Sequence, residues 1–326
     1  MTDLRGLDRR RLLAGAGGLG LASGGFPTLA APASAAHRPD VNGKTSWSES
    51  IMVVYLSDDL RTGISYRICR FPELDDTWVW CQVIVEGRMY AYTEQYLPCA
   101  KDRKLPDSAA AVYDAPGLSG RMTRMGTSAD LQRMSFSFDG LCHAGTKAEE
   151  GAGRIPVRLE GIFHPDRTHG GRAQTGRVER TGRVEATIRV GGKSYAITGV
   201  GKQHEQTQTG PRFLNAFTYC NLWNAEASFL GLFATDRGYG DFQVGDRTRA
   251  VQTFRIAKPG PERKIQAVMA DGGKVDGVIH TVIDYEIPIY DRVWRGTMVS
   301  GVVDGLNMVG TVNDWRSEEQ PYARQF

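Results

Sequence analysis

The chain has 326 residues, of which 41% are hydrophobic and 24% charged, and its formal net charge is +3. This is an ordinary globular composition, long enough for two medium-sized domains, and it excludes a disordered or collagen-like chain. The lysines and arginines form no basic stripe, so the sequence also argues against nucleic acid as a partner.

The first 35 residues predict an export signal. Residues 8–13 read Asp-Arg-Arg-Arg-Leu-Leu, an uncharged run rich in glycine, alanine and leucine follows, and residues 33–35 read Ala-Ser-Ala. A charged start, an apolar middle and a small-x-small cleavage site are the parts of such a signal, and the paired arginines indicate the twin-arginine route. We therefore expect residues 1–35 to be removed and the protein to be periplasmic or extracellular. No later run reaches the ~18 apolar residues of a spanning helix, so no transmembrane anchor is expected after cleavage.

After a polar arm over residues 37–50, short runs rich in β-branched and aromatic residues predict a series of strands. In the first half the predicted strands are 51–56, 62–71, 77–85, 131–138 and 155–163. The stretch 95–128 between them is predicted to be a longer, irregular connection. In the second half the predicted strands are 213–223, 227–234, 241–244, 248–256, 264–269, 278–287, 295–303 and 306–315.

Two tight turns predict the register of their hairpins. Glu86-Gly87 folds one strand back on the next, and Gly191-Gly192 can take the positive φ that a two-residue hairpin turn requires. The predicted opposite pairs are Val83 with Tyr90, Cys81 with Tyr92, Ile188 with Tyr195, and Ala186 with Ile197. The Gly191-Gly192 hairpin places apolar residues opposite apolar residues, which supports its register.

Many short strands with turn signals between them, and almost no helical periodicity, predict an all-β protein of antiparallel barrels or sandwiches with little helix. The predicted halves are residues 36–175 and residues 176–326, and the second half includes the segment around His204.

The metal-binding residue types do not have the spacing of a metal site. The five cysteines, Cys69, Cys81, Cys99, Cys142 and Cys220, lack CxxC spacing and are expected to be buried thiols. His164 and His169 lie in a Gly- and Arg-rich stretch and fit no established ligand pattern. We therefore predict no metal site.

Residues 182–204 read Gly-Arg-Val-Glu-Ala-Thr-Ile-Arg-Val-Gly-Gly-Lys-Ser-Tyr-Ala-Ile-Thr-Gly-Val-Gly-Lys-Gln-His, and Gly-Pro-Arg follows at 210–212. This block resembles the tandem lipocalin-like (AttH-type) family, to which carotenoid 1,2-hydratases are related. The runs Ile-Ser-Tyr-Arg-Ile at 64–68, Trp-Val-Trp at 78–80 and Arg-Met-Tyr-Ala-Tyr at 88–92 fit the first barrel of that family in order. The resemblance implies two lipocalin-like antiparallel β-barrels packed side by side. In the hydratase branch it also implies acid-initiated addition of water to an isoprenoid double bond, without any cofactor.

The chain departs from the family pattern at one informative place. Residues 204–206 read His-Glu-Gln where the family usually has His-x-Trp, so the aromatic ring that could support a cationic intermediate is missing there. Trp223 and Trp315 are the residues that could supply a replacement ring.

The polar segment 199–213, between two apolar strands, is predicted to contain the functional site. His204 is the candidate general acid or base, because imidazole exchanges a proton near neutral pH. On a strand it shares a face with Gln206 and Gln208, which would position water or a substrate oxygen, whereas Glu205 would point the opposite way. Arg212 would bind a carboxylate or phosphate, or hold an interface through its planar fork.

Further candidates come from the second half of the chain. Tyr219, Trp223, Tyr285 and Trp315 are aromatic residues that would line an apolar cavity, or alternatively fill the core. Asp314, at a strand end, is the second candidate acid, because burial would raise its pKa; a solvated aspartate is the alternative.

These residues favour an exported, cofactor-independent enzyme, a lyase or an isomerase/cyclase, acting on a hydrophobic small molecule such as an isoprenoid or polyketide. It would transfer a proton at an alkene in a hydration, dehydration, isomerisation or cyclisation. Two alternatives stay open: a lipid or pigment carrier without chemistry, and a cavity that only orients a polyene for cycloaddition.

Overall fold

The computed structural model of the protein describes residues 47–146, 153–169, 176–209, 216–234, 237–289 and 292–315. Every regular element among these residues is a β-strand, which confirms the predicted all-β fold. None of the described residues forms a helix that could cross a membrane. The predicted export signal, residues 1–35, lies outside them.

Ten strands form one antiparallel sheet in the first part of the chain. They are β1 (Trp47–Leu56), β2 (Gly63–Phe71), β3 (Asp76–Val85), β4 (Arg88–Leu97), β5 (Ala110–Asp114), β6 (Ser119–Gly126), β7 (Leu131–Ala144), β8 (Arg154–His169), β9 (Arg177–Val190) and β10 (Lys193–Thr209). Their order in the sheet is β4-β3-β2-β1-β10-β9-β8-β7-β6-β5. Tyr90 of β4 also pairs with Ala144 of β7, and Ala91 with His143, so the sheet closes on itself over a short stretch.

Eight further strands form a closed antiparallel barrel. They are β11 (Phe217–Trp223), β12 (Ala227–Ala234), β13 (Arg237–Val244), β14 (Arg247–Ile256), β15 (Glu262–Met269), β16 (Lys274–Ile289), β17 (Arg292–Val303) and β18 (Leu306–Trp315). Each strand pairs with the next, and β18 pairs with β11 to close the barrel. The two predicted lipocalin-like barrels are therefore the ten-stranded sheet and this closed barrel.

The registers predicted from the two tight turns are confirmed. Val83 pairs with Tyr90 and Cys81 with Tyr92 across β3 and β4. Across β9 and β10, Ile188 pairs with Tyr195 and Ala186 with Ile197. The turn Gly191-Gly192 has φ values of 56° and 83°, which glycine adopts without steric strain.

The predicted irregular connection 95–128 contains two strands, β5 and β6, so that prediction is wrong over this part. β5 has only five residues, and the only large apolar residues of β6 are Met122 and Met125; the apolar side chains that the two strands bury are Ala111, Tyr113 and Met122. A pattern of so few inward positions is difficult to recognise, because period-2 alternation needs several repeats to stand out.

The chain passes from the first sheet to the closed barrel between Thr209 and Phe217, whereas the predicted boundary between the halves lies at 175/176. β1 pairs along almost its whole length with residues 201–209 of β10, and β9 pairs with β8. The segment around His204 therefore belongs to the first sheet, not to the barrel that was predicted to carry it. The hairpin itself was predicted correctly, but its sequence does not specify which other strand it will join.

A third hydrophobic cluster joins the first sheet to the closed barrel, in addition to the cores inside each of them. Trp78 and Trp80 of β3 pack there with Tyr285, Trp294 and Trp315 of the barrel. The rings of Trp80 and Trp294 lie 5.5 Å apart, a separation at which aromatic pairs attract. This packing fixes the outer face of the barrel against the outer face of the sheet.

Candidate active site between the sheet and the barrel

A cavity of about 380 Å³ lies between the outer face of the first sheet and the outer face of the barrel. This is within the usual range for small-molecule sites. The apolar part of its lining is Met52, Val54, Phe217, Leu232, Ala234 and Trp294. The polar part is Arg67, Arg177, Lys202, His204, Gln206, Gln208, Tyr219, Tyr239, Asn221, Thr311 and Asn313. A ligand with an apolar body and a few oxygen atoms would match this lining.

The period-2 geometry of β10 explains which of its side chains reach the cavity. His204 lines the cavity, as do Gln206 and Gln208, which are joined by a 2.7 Å hydrogen bond. Glu205 points to the other side of the sheet. There its Oε1 accepts a 2.9 Å hydrogen bond from Tyr113 Oη and forms an ion pair with Arg124. The predicted division of this segment between two faces is present in the structure.

His204 is anchored by a carboxylate on the neighbouring strand. The register of β9 and β10 pairs His204 with Glu179, and the distance from His204 Nδ1 to Glu179 Oε1 is 2.7 Å. Glu179 is fully buried, and the same oxygen also accepts a 3.0 Å hydrogen bond from Arg177 Nε. Because Nδ1–H donates to Glu179, Nε2 is the nitrogen that can act on a ligand, and it has no hydrogen bond with any described residue.

Burial sets the protonation state of this pair. Desolvation lowers the pKa of His204 to about 4, outweighing the raising effect of Glu179. For Glu179 burial acts in the opposite direction, but His204 and Arg177 lower its pKa below the ordinary value. Near pH 7 the carboxylate is therefore charged and the imidazole neutral. A neutral imidazole with Nδ1–H engaged presents the lone pair of Nε2, which is the form of a general base.

Tyr219 completes the wall next to this pair. The guanidinium of Arg177 lies over its ring at 4.5 Å, a cation–π contact, and Asn221 Nδ2 donates a 2.9 Å hydrogen bond to its hydroxyl. Burial raises the pKa of Tyr219 well above the ordinary value, so the phenol stays neutral. Tyr219 thus provides an aromatic surface in the cavity, as the sequence predicted.

Among the described residues, the other predicted site residues do not line this cavity. Trp223 donates a 3.1 Å hydrogen bond from Nε1 to the carbonyl of Val200, and Trp315 is fully buried in the cluster between sheet and barrel. Tyr285 lines a different cavity of about 530 Å³. Arg212 lies outside the described residues.

Asp314 occupies a separate place, inside the closed barrel. Its neighbour Asn313 faces the cavity, so the alternation along β18 turns Asp314 inward. There it accepts hydrogen bonds from Arg263 at 2.7 Å and from Thr218 Oγ1 at 2.6 Å. Asp314 therefore belongs to an internal ion pair. It is neither the acid in the cavity nor the solvated aspartate that the sequence analysis gave as alternatives.

Among the described residues, no group of three or more His, Cys, Asp or Glu side chains has the arrangement of a metal site. His164 lies on β8, and the side chain of His169 is outside the described part of the chain. All five cysteines are buried, and none forms a disulfide.

Glu179 and Lys202 are the main site residues that sequence reasoning missed, yet the sequence held a signal for both. The register of the Gly191-Gly192 hairpin pairs Ile188 with Tyr195, and its extension along the strands pairs Glu179 with His204. Lys202 precedes His204 by two residues and so shares its face of β10.

The strand order, the closed barrel and the cavity between two β units define a tandem lipocalin-like protein. Residues 32–204, more than half of the chain, match the family model described as "Domain of unknown function (DUF7064)", so the chain belongs to that family. No curated protein matches.

The solved structures that are similar to this chain come from proteins of distant sequence. A protein from Nitrosomonas europaea assigned as an AttH has 11% identity and a TM-score of 0.55, covering 93% of this chain and 100% of its own. The structure of CghA with Sch210972 has 9% identity and a TM-score of 0.51, covering 83% of this chain and 88% of its own. Kievitone hydratase from Nectria haematococca has 11% identity and a TM-score of 0.46, covering 86% and 91%. The first two show that this chain has the AttH-type fold.

Proposed function

We propose that the protein is an exported, cofactor-independent enzyme that transfers a proton at carbon in a largely apolar small molecule, with His204 as the general base. One observation supports this most strongly: the imidazole of His204 lines the cavity while its Nδ1 is fixed 2.7 Å from the buried carboxylate of Glu179. A base held by a second group in this way is the common arrangement of proton-transfer sites.

The proposed step begins with a substrate carbon next to an alkene. Nε2 of His204 takes a proton from that carbon, the C–H electron pair forms a new π bond, and the electrons of the existing double bond move to its far carbon. Glu179 stabilises the imidazolium that forms. Return of the proton to another carbon gives isomerisation, whereas its transfer to a departing hydroxyl gives dehydration with release of water. Gln206 and Gln208 would hold that oxygen. Because His204 is neutral near pH 7, the site favours base-initiated reactions over the acid-initiated hydration of the hydratase branch.

The cavity lining and one structural neighbour support the small-molecule part of the proposal. Met52, Val54 and Phe217 provide apolar surface beside the base, where exclusion of water strengthens electrostatic interactions. CghA, which shares the fold, has been solved with Sch210972.

Export by the twin-arginine route to the periplasm or the extracellular space belongs to the same proposal. N-terminal sequencing of the mature protein should then find Ala36 as the first residue, and retention of residues 1–35 would contradict it.

A generic carbon acid can test the proposal before the natural substrate is known. In 5-nitrobenzisoxazole, a base removes the proton on C3, the N–O bond breaks, and a coloured cyanophenolate forms without any further reactant. We expect the purified protein to catalyse this elimination with saturation, roughly 10²-fold or more faster than imidazole buffer at equal concentration. Absence of saturable elimination, together with a stoichiometric, unaltered lipid in mass spectra of extracts, would instead identify a carrier.

A further inference from the structure

Lys202 is a buried amine beside the base that the proposed step does not use. It lies two residues before His204 on the same face of β10, and both residues line the cavity. Its side chain is 1% exposed, and its Nζ has no hydrogen-bond partner among the described residues. Buried ammonium groups are costly unless paired, so one without a partner in a cavity wall points to a ligand that supplies the missing acceptor.

The charged groups around Lys202 do not meet this need. Glu179 and Asp241 both favour its protonated form electrostatically, but neither forms an ion pair or hydrogen bond with it in the described structure. Glu179 is already engaged by His204 and Arg177. Burial lowers the pKa of Lys202 to about 8, so the amine is still mostly protonated at pH 7. The cavity wall therefore contains a cation without a bound acceptor.

The other two cations that line the cavity among the described residues already have partners. The guanidinium of Arg177 binds Glu179 and covers the ring of Tyr219. Arg67 lies over the rings of Trp80 and Trp294, 5.4 and 6.0 Å from their centres. Lys202 is thus the cation best placed to receive a new anionic or partly anionic oxygen.

A second unsatisfied atom also indicates a polar ligand. Asn221 lines the cavity, and its Oδ1 is buried without a hydrogen-bond partner among the described residues, whereas its Nδ2 is used by Tyr219. A donor in Lys202 and an acceptor in Asn221 are therefore both unsatisfied in one cavity. A ligand with an acceptor oxygen for Lys202 and a hydroxyl group that donates to Asn221 Oδ1 would satisfy both, which a pure hydrocarbon cannot do.

We propose, on the basis of the proposed function, that Lys202 binds the oxygen of a carbonyl group conjugated to the reacting carbon and stabilises the negative charge that develops there when His204 removes the proton. The substrate class is therefore an enolisable ketone or unsaturated carbonyl compound, not an unfunctionalised polyene. Alternate residues of a strand are about 6.6 Å apart, a span that a C–H to Nε2 contact, a carbonyl group and an N–H···O contact can fill.

The proposed reaction is balanced without any other reactant. The C–H bond breaks, its electron pair forms the carbon–carbon double bond of an enolate, and the carbonyl π electrons move to the oxygen held by Lys202. The proton resides on Nε2 of His204. Its delivery to a different carbon of the enolate restores the carbonyl group and moves the double bond.

The oxyanion site can be tested by binding, without turnover. The probe is 4-nitrophenol, whose neutral and ionised forms absorb at different wavelengths. We expect the wild-type protein to bind the ionised form about tenfold more tightly than the neutral form. Lys202→Met should reverse this preference, because an apolar cavity disfavours an anion, and Lys202→Arg should retain it. Equal binding of the ionised form by wild type and Lys202→Met would overturn the proposal.

Two further variants separate this proposal from the proposed function and from misfolding. His204→Gln should keep the preference for ionised 4-nitrophenol while losing the elimination of 5-nitrobenzisoxazole. If elimination is absent in every form but the preference still depends on Lys202, the anion site exists and the proton-transfer function fails. Lys202→Gln replaces the amine with a neutral polar group and serves as the test if Lys202→Met does not fold. It should lose the preference for ionised 4-nitrophenol. If Lys202→Gln retains that preference, the charge of Lys202 has no role in binding the anion.

Discussion

Replacing His204 by glutamine is expected to slow the elimination of 5-nitrobenzisoxazole roughly 10²- to 10⁴-fold, which is the usual contribution of a positioned general base. Glutamine is neutral and can keep a hydrogen bond to the buried Glu179, so the fold and the binding of the probe should be preserved. The measurement is the steady-state rate at saturating probe, together with KM, which should change little.

A matched control is available in the same chain. His143 is half-buried and lines the other cavity, of about 530 Å³, where no role in the reaction is proposed. His143→Gln should therefore retain the wild-type rate. If both variants behave alike, whether both retain the rate or both lose it, His204 is not the base.

Replacing Asp314 by asparagine is expected to lower the free energy of unfolding by about 3–5 kcal/mol, because it removes one member of a buried ion pair and leaves the other charged. Arg263 binds Asp314 through two contacts, at 2.7 and 3.2 Å, and both side chains are at most 2% exposed. Urea unfolding followed by circular dichroism measures the effect. The elimination rate per folded molecule should be unchanged, since Asp314 is turned away from the cavity.

The control for this prediction is an exposed pair of the same residue types. Arg158 binds Asp139 at 2.7 Å, but both side chains are about half exposed. Asp139→Asn should have a much smaller effect on stability than Asp314→Asn, because water screens the exposed pair. If folded Asp314→Asn loses the elimination activity, Asp314 is a catalytic acid, as the sequence analysis predicts.

Local sequence patterns predict the hairpins correctly, whereas the pairing of strands that are distant in the sequence is not predicted. The glycine turns at residues 86–87 and 191–192 determine the registers of their hairpins, because turn geometry and cross-strand pairing act over few residues. The pairing of β10 with β1 joins segments roughly 150 residues apart, and no local preference encodes it. For the same reason the predicted boundary at 175/176 does not coincide with the change of sheet.

The same limit applies to the site. Alternation along one strand correctly placed His204, Gln206 and Gln208 together, and it would also have placed Lys202 there. The aromatic candidates were predicted from composition, and only Tyr219 of the four lines the cavity. A single strand does not encode which of its faces lies towards the cavity and which lies towards the barrel interior, where Asp314 is. That choice depends on the packing between the sheet and the barrel.

The pH dependence of the elimination catalysed by the wild-type protein tests the central claim most directly. The active form is neutral His204, whose pKa burial lowers to about 4, whereas an ordinary histidine titrates near 6.5. We predict that kcat/KM for 5-nitrobenzisoxazole stays nearly constant from about pH 7 down to about pH 5 and falls to half only near pH 4, provided that circular dichroism shows a folded protein. A rate that falls to half at or above about pH 6.5 would contradict the account, as would a profile shared by His204→Gln.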